Sequence, residues 1–454
     1  MASIHRTLRC TAAALALCLA LPAHAAEPLA IPDMAYRERV LANGLRVISV
    51  EGHDSPTVAI QVWYQVGSKD DPQGRSGFAH LFEHLMFKST KYLASEQFDR
   101  LTEDVGGSNN AGTADDYTNY HEVVPANYLE PLLWAEAERM TNLQVNQANF
   151  VSERSVVEEE YRQRVLAAPY GALSQAIERD SYRVHPYRRP GIGNIDELEA
   201  ASLDDVVAFH STYYRPDNAT LVVSGDFDPA QLDGWVNRYF GALAKPARAL
   251  PRVTIDEPPW PDDRVFDETG TRVPLPAVAL TWLAPRAVDD DAAALTVASA
   301  LLDGGASSRL YESMVYRDRS AAQVSFNADL RAGPGLLTAL AVAAQGHSLD
   351  ELVAGLKREI ARLAKGPIAR TELDKVKTQM LTAALLARQT PNGRASDIGS
   401  SVLIEGDAAR VNTDLKRLQA VTAADVQRVV KRYLIDAHHN RINYRQAAAP
   451  KDPT

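Results

Sequence analysis

The sequence predicts an α+β protein made by tandem duplication. Two observations carry this: local patterns that recur about 220 residues apart in the same order, and a proline-rich break between them. The run Val58, Ala59, Ile60, Gln61, Val62, Trp63 alternates like a half-buried strand. Ala277, Val278, Ala279, Leu280, Thr281 and Trp282 echo it 219 residues later. A second echo follows at an offset of 220. Ser202 opens an amphipathic helix ending at Tyr213, and Thr422 opens another ending at Tyr433, each with a Ser or Thr at the N-cap and acids in the first turn. A strand follows each helix, over 219–223 and 441–444.

The expected organisation is therefore a first domain over 28–245, a linker over 246–264 and a second domain over 265–446, with a tail over 447–454. The linker reading rests on Pro246, Pro251, Pro258, Pro259 and Pro261, which favour extended backbone. At 454 residues and 46% apolar composition, the chain is long enough for more than one core. A formal net charge of −10 argues against a nucleic-acid surface.

Residues 1–25 read as a cleavable signal peptide. Arg6 and Arg9 supply the basic end, 11–21 the apolar stretch, and Ala23, His24 and Ala25 the cleavage site. No later stretch reaches the length of a membrane span, so the expected product is an exported, periplasmic protein without stable membrane insertion. Lipidation at Cys18 is the competing reading, and the bulky Leu17 before it fits poorly. Cys10 and Cys18 both fall within the leader, so the mature protein has no disulfide and any metal site must use His and carboxylates.

The chemistry centres on the run 77–87. Phe78, Leu81, Phe82, Leu85 and Met86 form one apolar helical stripe, while His80 and His84, at i and i+4, share a face from which two imidazoles can reach one cation. Glu83 lies beside them, placed to accept a proton from an activated water. A catalytic zinc of this kind needs a third ligand. The acidic stretch 153–160 offers Glu153, Glu158, Glu159 and Glu160, of which Glu153 and Glu160, seven apart, share a face; the spacing alone does not choose among the four.

These residues resemble the pitrilysin and insulysin family of inverzincin peptidases, which includes the mitochondrial processing peptidase and whose signature is H-x-x-E-H. The resemblance spans nearly the whole mature chain. It takes in the run from Gly77 through His80, Glu83 and His84 to Thr90, then Gly106, Gly107, Ser108, Asn109, Asn110 and Ala111 with Thr113 and Tyr120, and the helix bearing Glu153 and Glu160. It implies a zinc endopeptidase of two tandem α+β rolls, each a mixed sheet with helices packed on it, holding one Zn²⁺ per chain. By that resemblance His80, His84 and Glu160 are the metal ligands, Glu83 the general base, Glu153 a carboxylate behind the ligands, and Asn110 and Ala111 part of the segment that binds extended peptide. Projection of the metal site by 219 residues lands on Ser299, Leu302, Asp303 and Gln379, so the second half is expected to be inactive.

One departure matters. Single-chain members of the family carry an Arg and, seven residues later, a Tyr in the second half that stabilise the oxyanion. Here the matching positions are Tyr316 and Gln323, while Tyr311, Arg317 and Arg319 stand nearby at the wrong spacing. The expectation is a zinc-bearing subunit whose Arg and Tyr come from a paralogous partner; a homodimer is the other assembly expected. A non-catalytic assembly subunit is the alternative; such a protein would show a broken metal motif, and here every ligand is intact. His438 and His439 read as a surface turn, Gly304 and Gly305 as a helix end, His121 as packing, and His185, Pro186 and Tyr187 as a loop without an assigned role.

Overall fold

A computed structural model describes residues 29–448; the expected leader, with Cys10 and Cys18, lies outside the described residues. Eleven strands form two sheets among the described residues. The first holds β1 (Arg37–Val40), β2 (Arg46–Glu51), β3 (Thr57–Tyr64), β4 (Ser108–Thr113), β5 (Thr118–Pro125) and β6 (Ala219–Gly225) in the order β1-β2-β6-β3-β5-β4. The second holds β7 (Arg264–Gly270), β8 (Ala277–Ala284), β9 (Ala321–Asp329), β10 (Gly335–Ala343) and β11 (Asn440–Gln446) in the order β7-β11-β8-β10-β9. In each sheet one pair is parallel, β2 with β6 and β7 with β11, and every other pair is antiparallel.

Apart from β1, the two sheets share one topology, and the helices between their strands follow the same order, as a tandem α+β duplication requires. The repeated caps agree in detail. Ser202 and Asp205 form a reciprocal capping box on the helix Leu203–Tyr213, and Thr422 and Asp425 form the same box on Ala423–Val430. The second helix stops being α-helical at Val430 and continues as a wider π turn over Lys431–Ile435, rather than running straight to Tyr433.

The expectation of half-buried strands is corrected by the packing. β3 is buried on both faces from Val58 to Tyr64, including Gln61, because the halves exchange helices. One face of the first sheet is covered by its own helices. The other is covered by Pro391–Glu405 from the second half, through Ala395, Ile398 and Val402 against Ile48, Ala59 and Trp63. Reciprocally, Gly171–Ser181 of the first half covers the second sheet, with Leu173 and Ala176 against Ala277, Ala279 and Ile442. A polar bond marks each crossing. Buried Gln61 reaches Asn392 Oδ1 at 2.7 Å and Ser396 Oγ at 2.9 Å, and Ser181 Oγ lies 2.8 Å from Thr281 Oγ1. A lone polar side chain on such a face would cost a few kcal/mol without these partners.

The proline-rich segment forms no helix or strand up to Asp263, and Arg264 already belongs to β7. It is also pinned to the first half. Glu257 accepts the backbone N–H groups of Arg183, Val184 and His185 at 2.6 to 3.0 Å, and Arg252 donates to Gln65 O and Asn218 Oδ1.

Candidate metal centre and active site

The helix Phe78–Leu85 carries the H-x-x-E-H run, and its expected apolar stripe is buried as a unit, with Phe78, Leu81, Phe82 and Leu85 fully inaccessible. Burial of such side chains contributes about 1.5–3 kcal/mol each, so the histidine-bearing face is held against a firm support. The helix begins at Gly77, whose φ of +95° is a left-handed conformation; a Cβ there would stand 2.9 Å from Gly193 Cα and Ile192 O. The orphan N–H groups of this helix end are taken by buried Asp71, which accepts from Gly77 N at 2.7 Å and Ala79 N at 2.9 Å. Burial pushes the Asp71 carboxyl up to about 7 against the pull of those two bonds.

The acidic helix Gln147–Tyr161 packs across the motif helix, and its acids face different partners. Glu158 pairs with Arg154 and Arg162, and Glu159 with Arg162, whereas Glu153 and Glu160 face the histidines. Glu160 Oε2 lies 3.5 Å from His80 Nε2, and Glu160 Oε1 lies 3.7 Å from His84 Nε2. One ligand atom from each of the three residues falls within 4.8 Å of the others. A tetrahedral zinc bound at about 2.0–2.1 Å sets its ligand atoms about 3.4 Å apart, close to these separations.

Two further features fit a cation. Glu160 Oε2 is buried without a hydrogen bond. His80 is pushed down to about 3 by burial, with His84 and Arg164 adding to the effect, so its imidazole is neutral and its lone pair available. Behind His84, Glu153 Oε2 stands 3.7 Å from Nδ1 and Glu153 Oε1 is held by Lys88 at 2.9 Å. Burial opposes the charge of Glu153, but His84 and Lys88 outweigh it and its pKa is lowered. A carboxylate in this place orients the ring and fixes which nitrogen faces inward. His80 Nδ1 has no partner and is buried.

Glu83 sits about one turn after His80 and immediately before His84, and Thr113 Oγ1 donates to its Oε2 at 2.5 Å. Burial raises the pKa of Glu83 while that bond works in the other direction. His80, Glu83, His84, Thr113 and Glu160 line one cavity of about 520 Å³, together with Asn110, Ala111 and Gly112 of the edge strand β4. Asn110 pairs with His121 across β4 and β5, and Tyr120 lies buried beneath, its hydroxyl 3.4 Å from Phe82 O. Arg164, on the wide π turn that follows the acidic helix, is the cation lining this cavity, 3.5 Å from Glu160 Oε2.

Tyr316 and Gln323 are exposed and do not line the cavity, nor do Tyr311, Arg317 or Arg319. The projected second site is filled differently. Ser299 Oγ donates to Phe326 O at 3.2 Å, Asp303 Oδ2 accepts from Phe326 N at 3.1 Å, Leu302 is buried, and Gln379 is exposed. His439 is not a plain surface turn: its ring stacks on buried Trp282 and it shares Asp263 with His438. Tyr187, without a role from sequence, is fully buried and bonded to Asp116. The contact of Asp71 with the helix end, six and eight residues on, falls outside the usual cap position, and that of Thr113 with Glu83 joins residues 30 apart, so neither follows a local sequence signal.

The doubled scaffold thus presents, in its first half, two histidines and a glutamate that could hold a metal ion. The family model described as insulinase, peptidase family M16, matches residues 46–194, and that described as the peptidase M16 inactive domain matches 200–380. The chain belongs to this peptidase family. It is similar to a Helicobacter pylori protein named zinc protease PqqE, at 31% identity over 409 residues, 88% of this chain and 91% of that one. It is also similar to a probable mitochondrial-processing peptidase subunit beta of Arabidopsis thaliana, at 24% identity, covering 88% of this chain and 76% of the relative. The crystal structure of a protease from Helicobacter pylori superimposes with a TM-score of 0.86 at 29% identity, over 91% of this chain and all of that one. No helix of the described residues is long and apolar enough to cross a membrane.

Proposed function

We propose that this chain is a zinc-dependent endopeptidase acting on extended peptides, and that it is the zinc-bearing subunit of a two-chain enzyme. The observation that carries the first part is the convergence of His80, His84 and Glu160, with Glu83 on the same cavity wall. His80, His84 and Glu160 would hold one Zn²⁺ per chain, and zinc there would supply acidification of a water and polarisation of the scissile carbonyl. Glu83 accepts the proton of the attacking water and delivers it to the leaving amine; Thr113 fixes its Oε2 and leaves Oε1 for the transfer. Burial keeps the Glu83 pKa raised, which brings the group closer to the balance a proton shuttle needs.

The unpaired outer edge of β4, at Asn110 and Ala111, would take the peptide main chain as an added strand, which makes side-chain selection loose. The two-chain reading rests on Tyr316 and Gln323 standing where the family's Arg and Tyr would be, and it is supported by their exposed positions away from the cavity. Export of the chain rests on residues 1–25 and predicts a mature protein beginning at Ala26, read directly by N-terminal sequencing.

The test is Glu83→Gln. Turnover of an unfolded polypeptide is expected to fall by about 10²–10⁴-fold with zinc content held at one per chain; activity near that of the unmodified protein would overturn the assignment. For the two-chain reading, activity is expected on mixing with a paralogous chain that carries the Arg and Tyr, and full activity of the purified chain alone would rule it out.

A further inference from the structure

We infer that the β9–β10 hairpin of the second half buttresses the catalytic edge strand of the first, with Arg331 as its positioning residue; this rests on the peptidase reading above. The hairpins β4–β5 and β9–β10 are equivalent in the two sheets, and their turns, 114–117 and 330–334, meet. Arg331, 7% exposed, crosses from the second half into the first. Its guanidinium pairs with Asp115 at 2.7 Å and Glu178 at 3.0 Å, both of the first half, and with Asp329 of its own half at 2.6 Å. It lies 4.8 Å from the ring centre of Tyr187 and 5.7 Å from that of Tyr182. The next residues continue the knot. Ala332 N donates to Asp116 Oδ2, and Gly333 N donates to the Tyr187 hydroxyl, which in turn donates to Asp116 Oδ1 at 2.6 Å.

From this knot two short paths run to the chemistry. Thr113, the residue that holds Glu83, ends β4, two positions before Asp115 in the turn. On the other path, Ser68 N and Lys69 N donate to the carbonyls of Ala114 and Asp115, and Ser68 Oγ donates to the Asp115 carboxylate. Asp71, which caps the motif helix, lies two positions beyond Lys69. A buried cation facing three carboxylates is a poor choice for adhesion alone, since apolar residues would bind the halves at least as well. Its planar fork fixes direction, and direction is what a strand presenting Thr113 to Glu83 requires.

Arg331→Lys keeps the charge and removes the fork; Asp115→Asn removes its nearest carboxylate from the other side. With zinc still at one per chain, each variant is expected to lower kcat about tenfold with little change in KM, as a small displacement of Glu83 would. The amides of Gly112 and Thr113 are expected to exchange faster in both. Asn392→Ala serves as the control, because it loosens the halves at Gln61, away from this hairpin; it is expected to lower Tm but leave kcat and those amides unchanged. Unchanged kcat and exchange in a folded, zinc-loaded Arg331→Lys or Asp115→Asn variant overturns the inference, as does a control that matches their loss. If the unmodified chain loads zinc and cleaves nothing with its partner present, the peptidase reading fails, while the exchange comparison still decides the buttress.

Discussion

The two halves of this molecule share a strand order, a capped helix and a reciprocal exchange of covering helices, yet only the first brings metal-binding side chains together among the described residues. The contrast is sharpest at equivalent positions. Where the first half has His80 and His84 aimed at Glu160, the second has Ser299 and Asp303 bonded to the backbone of Phe326 on its own edge strand. In one half the helix face is turned toward a cavity; in the other it ties down a strand. The scaffold is thus separable from the chemistry, and the second half is retained for what it covers: one whole face of the first sheet, and the turn next to Thr113.

The largest effect should come from writing the second half's residues into the first. His80→Ser with His84→Asp removes both imidazoles and is expected to abolish zinc binding and lower peptidase activity by at least about 10³-fold, with the fold retained by circular dichroism. A smaller loss is expected from Glu153→Gln, which leaves every proposed ligand in place but unseats the ring of His84. Zinc affinity should weaken by about 10–100-fold in a chelator competition, and an unchanged affinity would mean that Glu153 serves only Lys88.

The dependence of one half on the other can be broken at Gly399, where a Cβ would meet the Trp63 indole at 2.5 Å. Gly399→Ala is expected to destabilise by about 1–3 kcal/mol in denaturant unfolding, because neither the helix nor the buried ring can yield. The smallest effect concerns acid stability. Burial holds His210 down to about 4 in the folded chain, stacked against Phe82 and Tyr214, whereas the unfolded chain protonates it near 6.5. Its contribution is complete above about pH 6.5 and is lost as pH falls toward about 4. His210→Phe should flatten the fall of Tm across that window, and an unaltered profile would show that other groups set it.

Much of the site was legible because its signals are local. The spacing of His80 and His84 follows from the helical repeat, the apolar stripe beneath them from the same period, and the shared face of Glu153 and Glu160 from two turns of helix. The capping boxes at Ser202 and Thr422 were equally readable, since a cap is decided within four residues. The two-sided burial of β3 was not. Its alternation of Val58, Ile60 and Val62 with Ala59, Gln61 and Trp63 is the pattern of a strand with one wet face, and only the arrival of Pro391–Glu405 some 330 positions later dries the second face.

By itself, then, the amino-acid order determined which elements form, that they form twice, and which side chains a helix can present to one cation. The tertiary structure decided which acid faces the histidines, that Thr113 holds Glu83, that Asp71 closes the helix end, and that Arg331 reaches across to the catalytic strand. The physical reason is range. Periodicity and caps are settled by neighbours within a turn or two, whereas these contacts span from six residues at Asp71 to more than two hundred at Arg331, and they exist only once the chain has packed in three dimensions.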